Sequence, residues 1–127
     1  MAFSAGFEER VIKSLCDLFP NLSEALLSIS DRLVDPQKTI KANVYHKEFK
    51  GSFSLKKAAP ALLGKEWSYD NLEVSDGKVA QVSHGKMLSQ KCSAADKKMF
   101  KDQLLEYCKR DTLAMVELVK WIYRNCK

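Results

Sequence analysis

The chain has 127 residues, 46% of them hydrophobic and 29% charged, the proportions of one globular domain with room for a single core. No apolar run nears the roughly 20 residues of a membrane-spanning helix, and Met1-Ala2-Phe3-Ser4 lacks the charged and apolar stretches of a secretory signal, so no membrane partner is expected and the cytoplasm is the expected compartment. A formal charge of +5 leans toward an anionic partner, although acids are interspersed among the lysines and a solvated mixed surface fits as well.

In chain order, apolar residues at Phe7, Val11, Ile12, Leu15, Cys16, Leu18 and Phe19 follow helical spacing and predict a first helix that stops at Pro20. Asn21 followed by Glu24 reads as a capping box for a second helix, with Leu22, Ala25, Leu26, Ile29 and Leu33 on one face and Asp35-Pro36 as its stop. Gln37 to Phe53 reads as a short helix followed by a loop. Ser54 then caps a helix through Leu63 that ends at Gly64, with Pro60 kinking or shortening it.

Tyr69-Asp70-Asn71-Leu72 and Ser75-Asp76-Gly77 are turn signals. Gly77 to Leu88 fits a helix or a poor strand, since Gly85 weakens both. Ser93 with Asp96 opens a long helical pattern through Met99, Phe100, Leu104, Tyr107, Cys108, Leu113, Val116, Val119 and Ile122, expected to break or bend near Asp111-Thr112. The whole is one helix-dominated unit without repeats or linkers.

Cys16, Cys92, Cys108 and Cys126 form no Cys-x-x-Cys pair and do not cluster with His46 or His84, so neither zinc nor an iron–sulfur cluster is expected. Cys16 and Cys108, lying in apolar helical patterns, read as reduced packing thiols. No nucleophilic elbow surrounds either histidine.

Tyr107 and Asp111 stand four apart on the last helix and so project from one face, where a phenol and a carboxylate can address the same point. Such a carboxylate can hold a divalent metal while the hydroxyl orients a water. The pair equally fits a buried tyrosine beside an exposed or salt-bridged aspartate.

Leu104-Leu105-Glu106-Tyr107-Cys108-Lys109-Arg110-Asp111-Thr112-Leu113-Ala114-Met115 resembles the third motif of DEDD exonucleases, Tyr-x-x-x-Asp within a helix. Ser4-Ala5-Gly6-Phe7-Glu8 partly resembles the second motif, Asn-x-x-Phe/Tyr-Asp, with Glu8 for aspartate and Ser4 for asparagine. Arg32-Leu33-Val34-Asp35 and Gly51-Ser52-Phe53-Ser54-Leu55-Lys56-Lys57 resemble stretches between the two, so the likeness runs in the family's order over nearly the whole chain. It is closest to an uncharacterised bacterial branch with this core.

The resemblance implies the helix-rich, mainly α C-terminal part of an α/β RNase H-like fold, lacking most of the sheet. It implies Glu8 and Asp111 as ligands of Mg2+ or Mn2+, Tyr107 as the water-orienting catalytic group, and a nucleic-acid end as substrate. The family's first motif, Asp-x-Glu on a strand, is missing, so the chain is expected to be the C-terminal portion of a longer protein and inactive alone. Its partners would be nucleic acid, the N-terminal part of the parent domain, and a second copy if bare apolar surface drives self-association.

A non-catalytic helical module for protein or nucleic-acid interaction is the rival reading. The basic residues Lys91, Lys97, Lys98, Lys101, Lys109 and Arg110, with Lys56 and Lys57, suit either phosphate contacts or a solvated face. Trp67 and Trp121 could each stack on bases, although Trp121 falls on an apolar helical face and reads as core.

Overall fold

The computed structural model describes residues 1–125, so Cys126 lies outside the described residues. Among these there are six α-helices, three single-turn 3-10 helices and no strand. The mainly α expectation therefore holds for the chain as described.

The first helix, α1 (Gly6–Leu18), closes with the Phe19 amide on the Leu15 carbonyl at 2.8 Å. Pro20, with φ fixed by its ring, starts a separate 3-10 turn, Pro20–Leu22. That turn absorbs Asn21, so the expected capping box does not form: α2 (Ser23–Asp31) begins two residues later, without a side-chain cap. A reciprocal tie joins the two helices, the Ser23 hydroxyl donating to the Cys16 carbonyl at 3.2 Å.

Asp35-Pro36 starts a helix instead of stopping one. α2 already ends at Asp31, and the Asp35 carboxylate accepts from the Gln37 amide at 3.0 Å to cap α3 (Pro36–Asn43), with Pro36 in its first position. Proline suits that place because the first-turn N–H it lacks would have no helical acceptor. After the single turn Lys47–Phe49, α4 (Leu55–Leu63) follows, and Gly64 ends it at φ 118°, a left-handed conformation open to glycine at little cost. Pro60 lies inside α4 without ending it.

α5 (Gly77–Leu88) is a helix, capped by the Asp76 carboxylate, which accepts from the Lys78 and Val79 amides at 2.8 and 2.9 Å. α6 (Ala94–Asn125) opens with the expected capping box: the Ser93 hydroxyl donates to Asp96 at 2.7 Å and accepts from its amide at 3.1 Å. It then runs uninterrupted for 32 residues, and the expected break at Asp111-Thr112 is absent. Thr112 bonds its hydroxyl to the Cys108 carbonyl at 2.9 Å, one turn back, a fit that leaves the helix intact.

The core lies where α3, α4 and α6 meet: Ile40, Phe49, Ala58, Ala59, Ala114 and Leu118 are buried, each at most 1% exposed. Alanines on both α4 and α6 let the helix backbones approach closely, and Phe53, Leu55, Leu62, Trp67 and Ile122 pack around them. Half-buried Trp121 sits at the margin. Cys108 is exposed, contrary to its reading as a packing thiol: it lies about 100° around the helix from Tyr107.

Candidate functional site

Four separate stretches of chain converge on a cleft of about 690 Å³. Met1 to Ser4 and Glu8 supply one wall, Leu33 and Gln37 the floor, Ser54 to Lys56 the start of α4, and Tyr107, Asp111 and Met115 one stripe of α6. All three residues singled out by the sequence, Glu8, Tyr107 and Asp111, thus line the same space.

Asp35 fixes the N-terminal wall. Its carboxylate accepts from the Ser4 and Ala5 amides, each at 3.0 Å, besides capping α3. Ser4 is thereby held at φ 67°, in the left-handed region, and the Ala2 amide reaches the Val34 carbonyl at 3.0 Å. These bonds set where α1 starts and hence where Glu8, in its first turn, points. Across the floor the Gln37 side-chain amide donates to the Phe53 carbonyl at 2.9 Å, tying α3 to the approach to α4.

Glu8 is half-buried, and one of its carboxylate oxygens is shut away from solvent with no hydrogen-bond partner. A carboxylate oxygen in that state incurs a desolvation cost of about 1–3 kcal/mol or more unless something positive or protic meets it. No ion pair of Asp111 is present among the described residues, where the ion pairs are Lys56 with Asp76 at 3.9 Å and Lys120 with Glu117 at 2.6 Å. Tyr107 and Asp111 are both half-buried.

Burial, followed by the negative charge of Asp111, pushes the Tyr107 phenol up to about 12. It therefore stays protonated across the neutral range, a hydrogen-bond donor and not a base.

A second phenol, which sequence reasoning left in a turn-rich connector, stands behind the first. Tyr69 is 3% exposed, and its ring meets that of Tyr107 edge-on with centroids 6.1 Å apart. Burial and then interaction with the Asp111 carboxylate raise its pKa, yet its buried hydroxyl lies outside strict hydrogen-bond geometry to any partner. Only an aromatic residue between two polar turn formers, Ser68 and Asp70, hinted at it in the sequence.

A second cleft of about 780 Å³ adjoins the first, with Lys56 and Tyr69 among its lining residues along with Lys50, Lys57 and Lys65. Arg110, expected among the phosphate-contacting basic residues, is instead turned onto the protein. Its guanidinium donates to the Glu66 carbonyl at 2.8 Å and stands 5.7 Å over the Trp67 ring.

Glu8 and Asp111 are carboxylate-bearing residues that line one cleft, Glu8 with an oxygen lacking any partner. They supply two ligands, and no group of three histidine, cysteine, aspartate or glutamate side chains able to hold a metal occurs among the described residues.

In comparison with known proteins, residues 1–54 match the family described as Domain of unknown function (DUF2779). That similarity takes in Glu8 and Asp35 and stops at Ser54, short of Tyr107 and Asp111. Neither a curated protein nor a solved structure matches the chain. No helix among the described residues is long and apolar enough to cross a membrane.

Proposed function

We propose that this chain carries half of the active site of a metal-dependent, DEDD-type 3′–5′ exonuclease with an RNase H-like parent fold, acting on a nucleic-acid end. The observation that carries the reading is the meeting of Glu8, near the start of the chain, with Tyr107 and Asp111, near its end, on one cleft. Glu8, Tyr107 and Asp111 follow the family's motif order and line one cleft, and a buried oxygen of Glu8 has no hydrogen-bond partner there.

Glu8 and Asp111 would hold Mg2+ or Mn2+, and Tyr107, protonated at neutral pH, would donate a hydrogen bond to a water or a phosphate oxygen there. A divalent cation bound there would lower the pKa of the attacking water and neutralise charge on the phosphate. Two carboxylates leave such a cation mostly hydrated, so the chain alone binds it weakly and degrades nothing. The further carboxylates such a site needs would come from a partner polypeptide. Apolar side chains left bare on α1 and the connection that follows it (Phe7, Leu18, Phe19, Leu22) are suited to pack against that partner, or against a second copy in its absence.

The test is Mn2+ titration followed by electron paramagnetic resonance. The expected outcome is binding in the millimolar range that is lost in Glu8→Gln and in Asp111→Asn, without nuclease activity toward single-stranded DNA. No binding at about 10 mM Mn2+, weaker than even low-affinity extracellular cation modules, would sink the metal site. Robust digestion abolished by Asp111→Ala would overturn the claim that the set is incomplete.

A further inference from the structure

We infer that the second cleft is a phosphate-backbone site, taking a single strand of nucleic acid onward from the cleft lined by Glu8, Tyr107 and Asp111. The inference rests on the functional reading above only for the nature of the polymer; the attraction for a polyanion rests on the charge around this cleft.

That charge is positive and mostly without counterions. Lys50, Lys56, Lys57 and Lys65 line the cleft against two carboxylates, Glu48 and Asp70, and the Asp70 carboxylate already accepts from the Ser68 hydroxyl at 2.7 Å. Among the described residues none of Lys50, Lys57 and Lys65 forms an ion pair, and Lys56 meets Asp76 only at 3.9 Å. A solvated helix face more often pairs its lysines with acids one turn away, as Lys120 is paired with Glu117 at 2.6 Å.

Local structure gives these lysines no stabilising task of their own. Lys56 and Lys57 stand in the first turn of α4, which contains no acid and receives no side-chain cap from Ser54. Cations at that end add to the positive pole of the helix, where an anion would offset it. Lys50 takes φ 48° in closing the Lys47–Phe49 turn, a left-handed conformation that a lysine seldom adopts. The charge is gathered against local preference, and a bound polyanion relieves it.

Two further features point to a strand. His46, also on the lining, accepts from the Glu48 amide through Nδ1 at 3.2 Å, so its uncharged ring carries the proton on Nε2 and adds a donor for a phosphate oxygen. Lys56 belongs to the linings of both clefts, so a chain of phosphates can engage the two together, as a single free phosphate cannot. No tryptophan or phenylalanine lines the second cleft among the described residues, and Tyr69 is 3% exposed. With little for bases to stack on, the contacts fall on the backbone and carry no sequence preference.

The experiment is fluorescence anisotropy of a labelled thymidine oligomer with the whole chain in EDTA, so that no divalent cation takes part. Binding is expected with a Kd of about 10⁻⁴–10⁻⁶ M, weakening as salt rises. Each of Lys50→Ala, Lys57→Ala and Lys65→Ala should weaken it about tenfold at about 50 mM salt and make the slope of log K against log salt shallower by about 0.7. The combined Lys97→Ala, Lys98→Ala and Lys101→Ala variant, altered on the exposed face of α6 outside both linings, should bind as the wild type does.

No change in anisotropy at about 1 mM protein, well above the nonspecific range, overturns the inference. An equal loss in the α6 variant also overturns it, since the attraction would then belong to the whole surface. Inorganic tripolyphosphate that displaces the oligomer at equal molar concentration overturns the strand in favour of a small-anion pocket. If the chain binds the oligomer but not Mn2+, the metal reading fails and the phosphate-backbone site stands; the reverse pattern removes this site and leaves the metal reading.

Discussion

The α1–α2 hairpin and the α4–α6 pair are both made of amphipathic helices, yet they have opposite fates. Neither hairpin helix has a buried residue, and Phe7, Leu18, Phe19, Leu22, Leu27 and Ile29 are all exposed. In the α4–α6 pair, Ala58, Ala59, Ala114 and Leu118 are sealed. Helical periodicity says that a face wants burial, and only the presence of a facing element decides whether it is buried. The cleft lies on the seam between the regions, taking Glu8 from the hairpin and Tyr107 and Asp111 from the core helix.

The largest effect should come from the packed side of that contrast. Leu118→Ala, at a fully buried position, is expected to cost about 2–5 kcal/mol in chemical denaturation. Leu18→Ala, where the side chain is 70% exposed, should stay within about 0.5 kcal/mol. Equal losses would mean that the hairpin is buried in solution, most simply in a dimer, which light scattering would reveal.

The seam should be next in sensitivity. Asp35→Ala removes the acceptor of the Ser4, Ala5 and Gln37 amides, and a loss of about 1–2 kcal/mol is expected from the cap alone. Hydrogen exchange should quicken at Ser4 and Ala5 and stay slow around Ala114 and Leu118. Uniform quickening would show that hairpin and core unfold as one unit.

The smallest effect is electrostatic. Tyr107 has its pKa raised to about 12 from an unfolded value near 10. The folded state therefore holds the proton more tightly, and this contribution is whole below about pH 10 and lost as pH rises toward about 12. Tyr107→Phe should flatten that limb of the stability curve. An unaltered alkaline limb would mean that Tyr107 sits freely in water.

Much of this was legible beforehand because it is local. Apolar spacing located α1 and α6, Gly64 closed α4, and the Ser93–Asp96 box opened α6, since each depends on residues within a turn or two. The i, i+4 placement of Tyr107 and Asp111 likewise follows from helix geometry. Asp35 was misread because an Asp-Pro pair both ends and begins helices, and the choice between them depends on distant amides at Ser4 and Ala5. The contact of Tyr69 with Tyr107 was invisible for the same reason. It depends on a connector folding back across α6, where Arg110 stands over the Trp67 ring, a contact that no spacing encodes.

Pro60 carries a consequence for hydration. Lacking an N–H, it cannot donate to the Lys56 carbonyl one turn earlier, where an ordinary helix would close that bond. Lys56 lies where the two clefts adjoin. A main-chain oxygen freed from its intrahelical donor is left able to accept from water or from a polar side chain, so the backbone itself offers an acceptor where the clefts adjoin.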